Sequence, residues 1–525
     1  MLRGMQDWPL RISRILDHAA REHGQREIVS RYADGQVVRT NWAGIDRDAR
    51  RLANAATRLG LARGDRIATL AMNHDRHLVA WYGVIGMGGV LHTLNPRLSD
   101  DHLVYIVNHA QDRAVFYDRA FASLVERIKP RIPTVQHFIC FDPGQDDQFQ
   151  DLLRAETEDF EWVEGDEREP AMLCYTSGTT GDPKGVLYEH RSTVLHAITA
   201  SLPDLFDLSA RAVVMPIVPM FHAAAWGLPF AAGVTGATLV FTTETAPEVI
   251  RDLIHAEHVT HSAAVPTVWL ALMGQGDDDG AGYRSLRVLV IGGAAAPRTM
   301  IEHFDGRGIR VAHAWGMTEM SPIGTLVSPD LDWQALPQNE RTDRLARQGR
   351  PPFGIELRTV DNEGRALPRD GRSSGLLQSR GAWVIDRYFL DSQTMAAGVD
   401  GWFDTGDVAI LHPDGSMQIT DRAKDVIKSG GEWISSIQLE NAALGCEGVV
   451  EAAAISVPDT KWGERPVLVV VRSDRFRVTE ETILRHLANC VARWWIPDRI
   501  LFVDSLPYGV TGKIQKAVLR EQLRQ

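Results

Sequence analysis

Between Tyr175 and Gly185 the chain reads Tyr-Thr-Ser-Gly-Thr-Thr-Gly-Asp-Pro-Lys-Gly. Four hydroxyl side chains (Thr176, Ser177, Thr179, Thr180), a run of glycines and Lys184 fall within one short loop. Mid-chain glycine costs backbone entropy, so a cluster needs a structural reason. Close approach of backbone N–H groups to an oxyanion is such a reason, and hydroxyls and a lysine suit the same ligand. The chemistry is that of phosphate. The spacing is not that of a Walker loop, because Lys184 follows Gly181 by three residues and precedes Gly185. Taken alone, such a run also reads as a polar surface turn. Lys184 and further stretches of similar character favour the phosphate reading. Trp315-Gly-Met-Thr-Glu-Met-Ser321 sets a hydroxyl beside a carboxylate, and Gly401-Trp-Phe-Asp-Thr-Gly-Asp407 is a glycine-punctuated acidic turn. Asp421-Arg-Ala-Lys-Asp-Val-Ile-Lys-Ser-Gly-Gly-Glu432 carries Arg422, Lys424 and Lys428, and Pro507-Tyr-Gly-Val-Thr-Gly-Lys-Ile-Gln-Lys516 projects Lys513 from a glycine-flanked turn. Singly, these also read as a capped helix start, an Asx turn, a linker and an exposed tail.

The elements that must position these stretches alternate in type. Ala171-Met-Leu-Cys174 reads as a strand before the phosphate loop, and His190 to Ala197 as a helix start after it. Upstream, helical patterns (Leu10 to His23, Ile45 to Leu59, Leu78 to Met87) alternate with strands (Arg26 to Tyr32, Asp65 to Ala71). Ala114 to Tyr117, Val135 to Phe141, Leu286 to Ile291 and Ile309 to His313 read as strands, with helices such as Ala246 to His258 between several of them. That order predicts an α/β protein with largely parallel sheets. The acidic stretch Gln145 to Glu169 reads as a surface excursion, and Asp277 to Asp279 as a solvated loop. After about residue 420 the pattern becomes a smaller unit, with strands at Val449 to Val457, Pro466 to Val471 and Arg499 to Val503 around a helical Thr479 to Trp494. The expected division is 1–420 and 421–525, the second part being large enough for a small domain.

At 525 residues the chain exceeds one comfortable core. With 44% hydrophobic and 24% charged residues, its composition is that of an ordinary globular protein. A net charge of −12 argues against a general nucleic-acid binder while leaving room for a local basic site. Cys140, Cys174, Cys446 and Cys490 lie far apart, without zinc spacing or a disulfide framework, which fits a reduced cytoplasmic setting. No signal peptide is visible, since Arg11, Arg14 and Asp17 interrupt the early apolar stretch. Ala212 to Thr243 contains no Asp, Glu, Lys or Arg, yet Pro216, Pro219, Pro229, Gly227, Gly233 and Gly236 would break a membrane-spanning helix. Buried strands and loops lining an apolar pocket are expected there.

In this order, the five motifs resemble the adenylate-forming superfamily of acyl-CoA synthetases, luciferases and peptide-synthetase adenylation domains, over nearly the whole chain. The resemblance implies an α/β fold, with a large N-terminal domain of α/β subdomains and a small mobile α+β C-terminal domain. It implies that Thr176, Ser177, Gly178, Thr179, Thr180 and Lys184 hold the ATP phosphates. Thr318 would contact the α-phosphate, and Glu319 with Thr176 would bind Mg²⁺, a cation that prefers oxygen ligands. Gly293, Ala294, Ala314, Trp315 and Gly316 would form the adenine slot. Trp315 stands where the family usually has tyrosine, so a flat aromatic is kept and a phenolic hydroxyl lost. Asp407 would accept from the ribose hydroxyls beside Arg422, and Lys513 would bridge carboxylate and α-phosphate. Lys424 falls at the hinge position, with Lys428, Gly431 and Trp433 in the loop that later approaches the acyl-adenylate.

Because the sequence stops at Gln525, soon after the lysine motif, free coenzyme A is the expected acceptor. Pro219-Met-Phe-His-Ala-Ala-Ala-Trp-Gly-Leu-Pro229 resembles the same stretch of medium- and long-chain fatty acyl-CoA ligases, and of methylthiopropionate ligases. It has no acid to pair with a substrate amine, which favours an uncharged acyl tail. His222 and Ala223 are expected to line the acyl pocket, although His222 also reads as a core histidine. Trp226 reads equally as core packing or as the ring that closes the pocket. The expected activity is an AMP-forming acid–thiol ligase using ATP, Mg²⁺ and coenzyme A on an apolar, medium-chain carboxylate. The alternatives are a ligase for a short thioether or aryl acid, an adenylating enzyme with another acceptor, and a non-catalytic nucleotide-binding relative. No nucleic-acid partner and no membrane span are expected; a homodimer stays open.

Overall fold

The computed structural model describes residues 4–143, 146–176, 182–274, 281–329, 332–391, 395–398, 400–430, 432–473, 476–508 and 514–523. They fall into two compact units, one of Met1–Glu356 with Arg380–Gly401, the other of Leu357–Ser379 with Trp402–Gln525.

The first unit is built on two sheets. In the larger, the strands run in the spatial order Ile323–Leu326, Arg310–Gly316, Val288–Ile291, His261–Ala264, Val213–Pro216, Thr238–Thr242, Glu27–Arg31 and Val37–Asn41. Neighbours are parallel except at the two edges. The smaller sheet runs His137–Cys140, Ala114–Tyr117, Arg66–Leu70, Val90–Thr93, Pro170–Tyr175 and Gly185–Glu189, with only the last strand antiparallel. Helices cover these sheets, so central strands such as Val288-Leu-Val-Ile291 are buried at every position, as continuous apolar runs require. The alternation read from the sequence is present as helices Ser13–His23, Trp42–Arg58, Asp75–Gly86 and Pro247–Ala256. Asn73 fastens the two sheets together. Its amide donates to the carbonyls of Pro216 and Val218 at 2.8 and 3.0 Å, and its Oδ1 accepts from the Met220 N–H at 2.7 Å.

One stretch differs from its sequence reading, and a second, at the surface as read, is fastened more closely than its composition suggests. The uncharged run holds a helix, Leu228–Thr235, between its strands. Pro229 sits in that helix's first turn, where its missing N–H has no intrahelical partner to lose. The acidic excursion is a strap bound to the core: Phe149 and Leu153 of helix Gln148–Arg154 are buried, and the Trp162 indole donates to Asp17 at 2.9 Å. Asp277 to Asp279 lie outside the described residues. Among those described, no helix is long and apolar enough to cross a membrane.

Burial lowers several histidines of this unit, His77, His190 and His196 to about 3 and His261 to about 4. Each is neutral when folded but takes a proton when unfolded below about pH 6.5, so the unfolded state binds more protons and stability falls as pH falls. The loss begins near the unfolded pKa and continues towards the folded values. Between pH 7 and 5.5 the expected cost is about 1 kcal/mol per histidine, several in sum. Thermal melts at the two pH values should show a clear drop in Tm; equal melting temperatures would contradict neutral burial.

The second unit carries a sheet ordered Ile355–Val360, Ser374–Gly381, Phe403–Leu411, Met417–Arg422, and another ordered Glu432–Ile434, Ile427–Ser429, Gly463–Arg472, Val449–Asp459. Arg499–Val503 pairs parallel with Gly463–Arg472. Alternation decides its two faces. Ala452, Ala454, Leu468 and Val470 pack under helices Ser436–Leu444 and Glu480–Cys490, while Ala453, Ile455, Val467 and Val469 face Leu519 of helix Lys516–Gln522. Residue 420, where the sequence suggests a division, lies inside the strand Met417–Arg422 of this unit.

Candidate active site

In the first unit, residues singled out from the sequence gather in turns that follow the C-terminal ends of parallel strands, the usual ligand side of open α/β sheets. Strand Pro170–Tyr175 leads into the phosphate-loop motif, and Gly185–Glu189 leads out. The neck is closed twice: the Thr176 N–H donates to the Lys184 carbonyl at 2.9 Å, and the Lys184 N–H donates to Thr176 Oγ1 at 3.1 Å. Ser177, Gly178, Thr179 and Thr180 lie outside the described residues.

Strand Arg310–Gly316 delivers Ala314, Trp315 and Gly316, and the tight turn after it carries Thr318 and Glu319, both nearly buried. Gly316 cannot be replaced without rearrangement, because a Cβ there would lie 1.9 Å from the Pro322 carbonyl oxygen. The Trp315 ring rests over Gly324 on the neighbouring strand. The Tyr188 hydroxyl donates to the Thr318 carbonyl at 2.7 Å, and the Ile385 N–H donates to the Glu319 carbonyl at 3.0 Å. Gly293 and Ala294 are exposed in the turn after strand Val288–Ile291, with Gly293 at φ +80°. His313 braces that turn: its Nε2 accepts from the Ala296 N–H at 3.3 Å and its Nδ1 faces the Leu345 carbonyl at 3.1 Å. Burial holds His313 below the usual imidazole range, which suits one accepting and one donating nitrogen.

The stretch from His222 contains the most unusual backbone. Ala223, Ala224, Ala225 and Trp226 have φ of 44°, 52°, 47° and 56°, and Gly227 continues at 75°. Left-handed conformation costs an L-residue roughly 1–2 kcal/mol, so four in succession store several kcal/mol that surrounding packing must offset. The packing is visible. Ala223, Ala224 and Ala225 are buried, and a Cβ on Gly227 would strike the His196 ring at 2.5 Å. The turn sets the half-buried Trp226 indole against Gly292, directly before Gly293 and Ala294. His222 is half-buried at its start.

In the second unit, Asp407 and Arg422 are cross-strand partners, and Arg422 Nε lies 2.8 Å from Asp407 Oδ1. Asp407 is nearly buried while Arg422 keeps 40% of its side chain exposed, so one edge of the pair faces solvent. Lys424 is exposed in a turn where the Asp425 and Val426 N–H groups both donate to the Arg422 carbonyl, at 2.9 and 2.8 Å. Lys428 and Trp433 pair across the short hairpin that follows. Gly431 and Lys513 lie outside the described residues; the described residues on either side of 509–513 are fastened. Tyr508 bridges Ile514, the Gln515 N–H donates to Pro507 at 2.8 Å, and Lys516 lies 2.6 Å from both Glu440 and Ser436 Oγ.

Residues 16–389 match the family model described as AMP-binding enzyme, and residues 438–513 match its C-terminal domain. The chain belongs to the AMP-binding enzyme family. This AMP-binding enzyme is 47% identical to the 3-methylmercaptopropionyl-CoA ligase of Ruegeria lacuscaerulensis, over 100% of this chain and 99% of that one. It is 44% identical to the medium-chain-fatty-acid–CoA ligase of Ectopseudomonas oleovorans, over 99% and 97% of the two chains. ATP-bound MatB from Rhodopseudomonas palustris shares its fold, with a TM-score of 0.85 at 24% identity, covering 98% of this chain and 99% of that one.

Glu319 presents one nearly buried carboxylate, an oxygen donor of the kind Mg²⁺ takes. Among the described residues, no group of three His, Cys, Asp or Glu could enclose a metal ion. A hard cation that takes one carboxylate and completes its shell with substrate phosphates and water needs no such cage. Several residues that support these stretches carry no signal in the sequence. Tyr188, His196, His313 and Lys516 reach the site or its supports through contacts made by folding, as does Tyr388. The Tyr388 hydroxyl donates to Glu319 Oε1 at 2.9 Å, while its ring lies 4.7 Å below the Lys184 ammonium. Burial, reinforced by the Glu319 charge, holds the Tyr388 phenol protonated well above its ordinary range.

Proposed function

We propose that this enzyme activates an apolar carboxylic acid of medium length as its acyl-adenylate and transfers the acyl group to coenzyme A. The reaction class is that of an ATP-dependent carboxylate–CoA ligase, as expected for a chain that spans nearly the whole length of relatives named CoA ligases. A substrate carboxylate oxygen attacks the α-phosphorus of ATP, and pyrophosphate leaves. The coenzyme A thiol sulfur, losing its proton, then attacks the acyl carbonyl, and AMP departs with the electrons of the mixed-anhydride bond.

The first step brings anions together, so its barrier falls through preorganised donors and cations. Lys184 and the loop 176–184 would hold the phosphates, Thr318 would contact the α-phosphate, and Lys513 would bridge it to the carboxylate. Asp407 with Arg422 would receive the ribose hydroxyls. Glu319 and Thr176 would hold Mg²⁺, which when bound supplies charge neutralisation at the phosphate oxygens. Rotation about Lys424, with residues 421–525 as the moving part, would bring the Lys428 to Trp433 loop towards the adenylate for the second step. A cytoplasmic setting accords with the free, mostly buried cysteines.

The strained turn Ala223–Gly227 carries the substrate reading. Backbone strain of this kind accumulates at functional sites, and here it sets one large ring beside the adenine turn, with small residues before it. An apolar pocket gains about 0.8 kcal/mol per buried methylene, or about fourfold in kcat/KM per carbon until it is full. The 47% identity to a 3-methylmercaptopropionyl-CoA ligase favours a second reading, a short thioether acid, in which sulfur takes the place of a methylene. One experiment separates them: kcat/KM across linear saturated acids and 3-methylmercaptopropionate, for wild type and Trp226→Ala. Medium-length acids should be preferred, acetate should be poor, free amino acids should not react, and Trp226→Ala should favour longer or bulkier tails. A sharp optimum at the thioether acid would establish the second reading. An optimum at acetate would overturn both, and an unchanged profile in Trp226→Ala would return the indole to core packing.

A further inference from the structure

Tyr388 lies between two groups of opposite charge. Its ring sits under the Lys184 ammonium at 4.7 Å, and its hydroxyl donates to Glu319 Oε1 at 2.9 Å. The segment bearing it is fixed at both ends to the elements that carry those two residues. The Phe389 N–H donates to the Gly185 carbonyl at 2.8 Å, beside Lys184, and the Ile385 N–H donates to the Glu319 carbonyl at 3.0 Å. Phe389 also packs closely on Gly185, where an added Cβ would meet its own Cβ at 3.0 Å. The tyrosine is therefore held by backbone between the ammonium and the carboxylate. Its aromatic face suits the cation, and its hydroxyl suits the anion.

We propose that Tyr388 is a positioning residue for nucleotide activation, its phenol orienting the Glu319 carboxylate and its ring seating the Lys184 ammonium. The inference rests on the roles assigned above to Glu319 and Lys184. A hydrogen bond to a ligating carboxylate acts as an outer-shell contact, and loss of such contacts typically costs ~10–100-fold in metal affinity. The ring contact acts separately on the lysine, and a cation–π contact at a partly exposed site is worth about two- to fivefold in affinity. Two substitutions separate these parts, because phenylalanine keeps the ring and loses the hydroxyl, whereas leucine loses both.

The test is calorimetric titration of ATP, without carboxylate or coenzyme A, in Mg²⁺ and in EDTA, on wild type, Tyr388→Phe, Tyr388→Leu and Glu319→Gln. Each variant is first shown to melt like wild type. Tyr388→Phe should lose about tenfold or more of the affinity gained from Mg²⁺ while binding ATP normally in EDTA. Tyr388→Leu should lose the same and bind about two- to fivefold more weakly in EDTA as well. If Tyr388→Phe keeps the full Mg²⁺ gain while Glu319→Gln loses it, the inference fails and the role of Glu319 stands. If Tyr388→Phe weakens binding equally in both buffers, the phenol serves general nucleotide affinity and the inference also fails. If Glu319→Gln keeps the gain, the metal-binding role of Glu319 is itself wrong.

Discussion

Replacing Lys513 with alanine is expected to slow acyl-adenylate formation by ~10²–10³ while leaving the protein folded and the thioester half-reaction from supplied acyl-AMP largely intact. The size follows from removing one preorganised cation aimed at charge that develops between carboxylate and α-phosphate. Folding should survive because the described residues on either side of 509–513 have contacts of their own. Tyr508 bridges Ile514, and Lys516 is buried against Glu440 and Ser436. Removing Lys516 would be the different experiment, since it would leave the buried Glu440 carboxylate without its cation, which is costly. Measurement of pyrophosphate release from ATP and carboxylate, beside thioester formation from synthetic acyl-AMP, checks the split. Normal adenylation by Lys513→Ala would remove the lysine from its assigned place.

Replacing Lys424 with proline should have the opposite effect, a fall of at least about tenfold in thioester formation with adenylate formation continuing. Proline fixes φ near about −65° and has no N–H, so a hinge that uses two backbone states would keep one of them. Lys424 lies in the turn closed on the Arg422 carbonyl by the Asp425 and Val426 N–H groups. Its side chain is exposed, so Lys424→Ala serves as the control for loss of the side chain alone. Single-turnover assays of each half-reaction decide the matter. Equal loss in both, in a protein that melts normally, would mean that the turn at Lys424 is structural and not a hinge.

Packing overruled the local signals in one stretch and added to them in another. The prolines and glycines of the uncharged run suggested only strands and loops, yet Leu228–Thr235 is helical because Pro229 occupies its first turn. The acidic stretch before Pro170 does run over the surface, as read from the sequence, while Phe149, Leu153 and Trp162 tie it to the core. Polar composition describes only the outward face of such a strap.

The family was legible from the sequence, and the residues proposed for its site could be named there, because each motif is contiguous. A phosphate loop needs its glycines, hydroxyls and lysine within one turn, and buried parallel strands need unbroken apolar runs, so consecutive residues reveal both. Tertiary structure alone decided how the motifs are held. Tyr388 meets Lys184 and Glu319, Asn73 fastens one sheet's turn to the other, and Lys516 anchors the tail on Glu440. No propensity records such contacts, because their partners are distant in the chain and are chosen by packing. The left-handed run from Ala223 to Trp226 is the clearest case. Alanine intrinsically prefers the right-handed region, and the run stands where Ala223 to Ala225 are buried and Gly227 abuts the His196 ring.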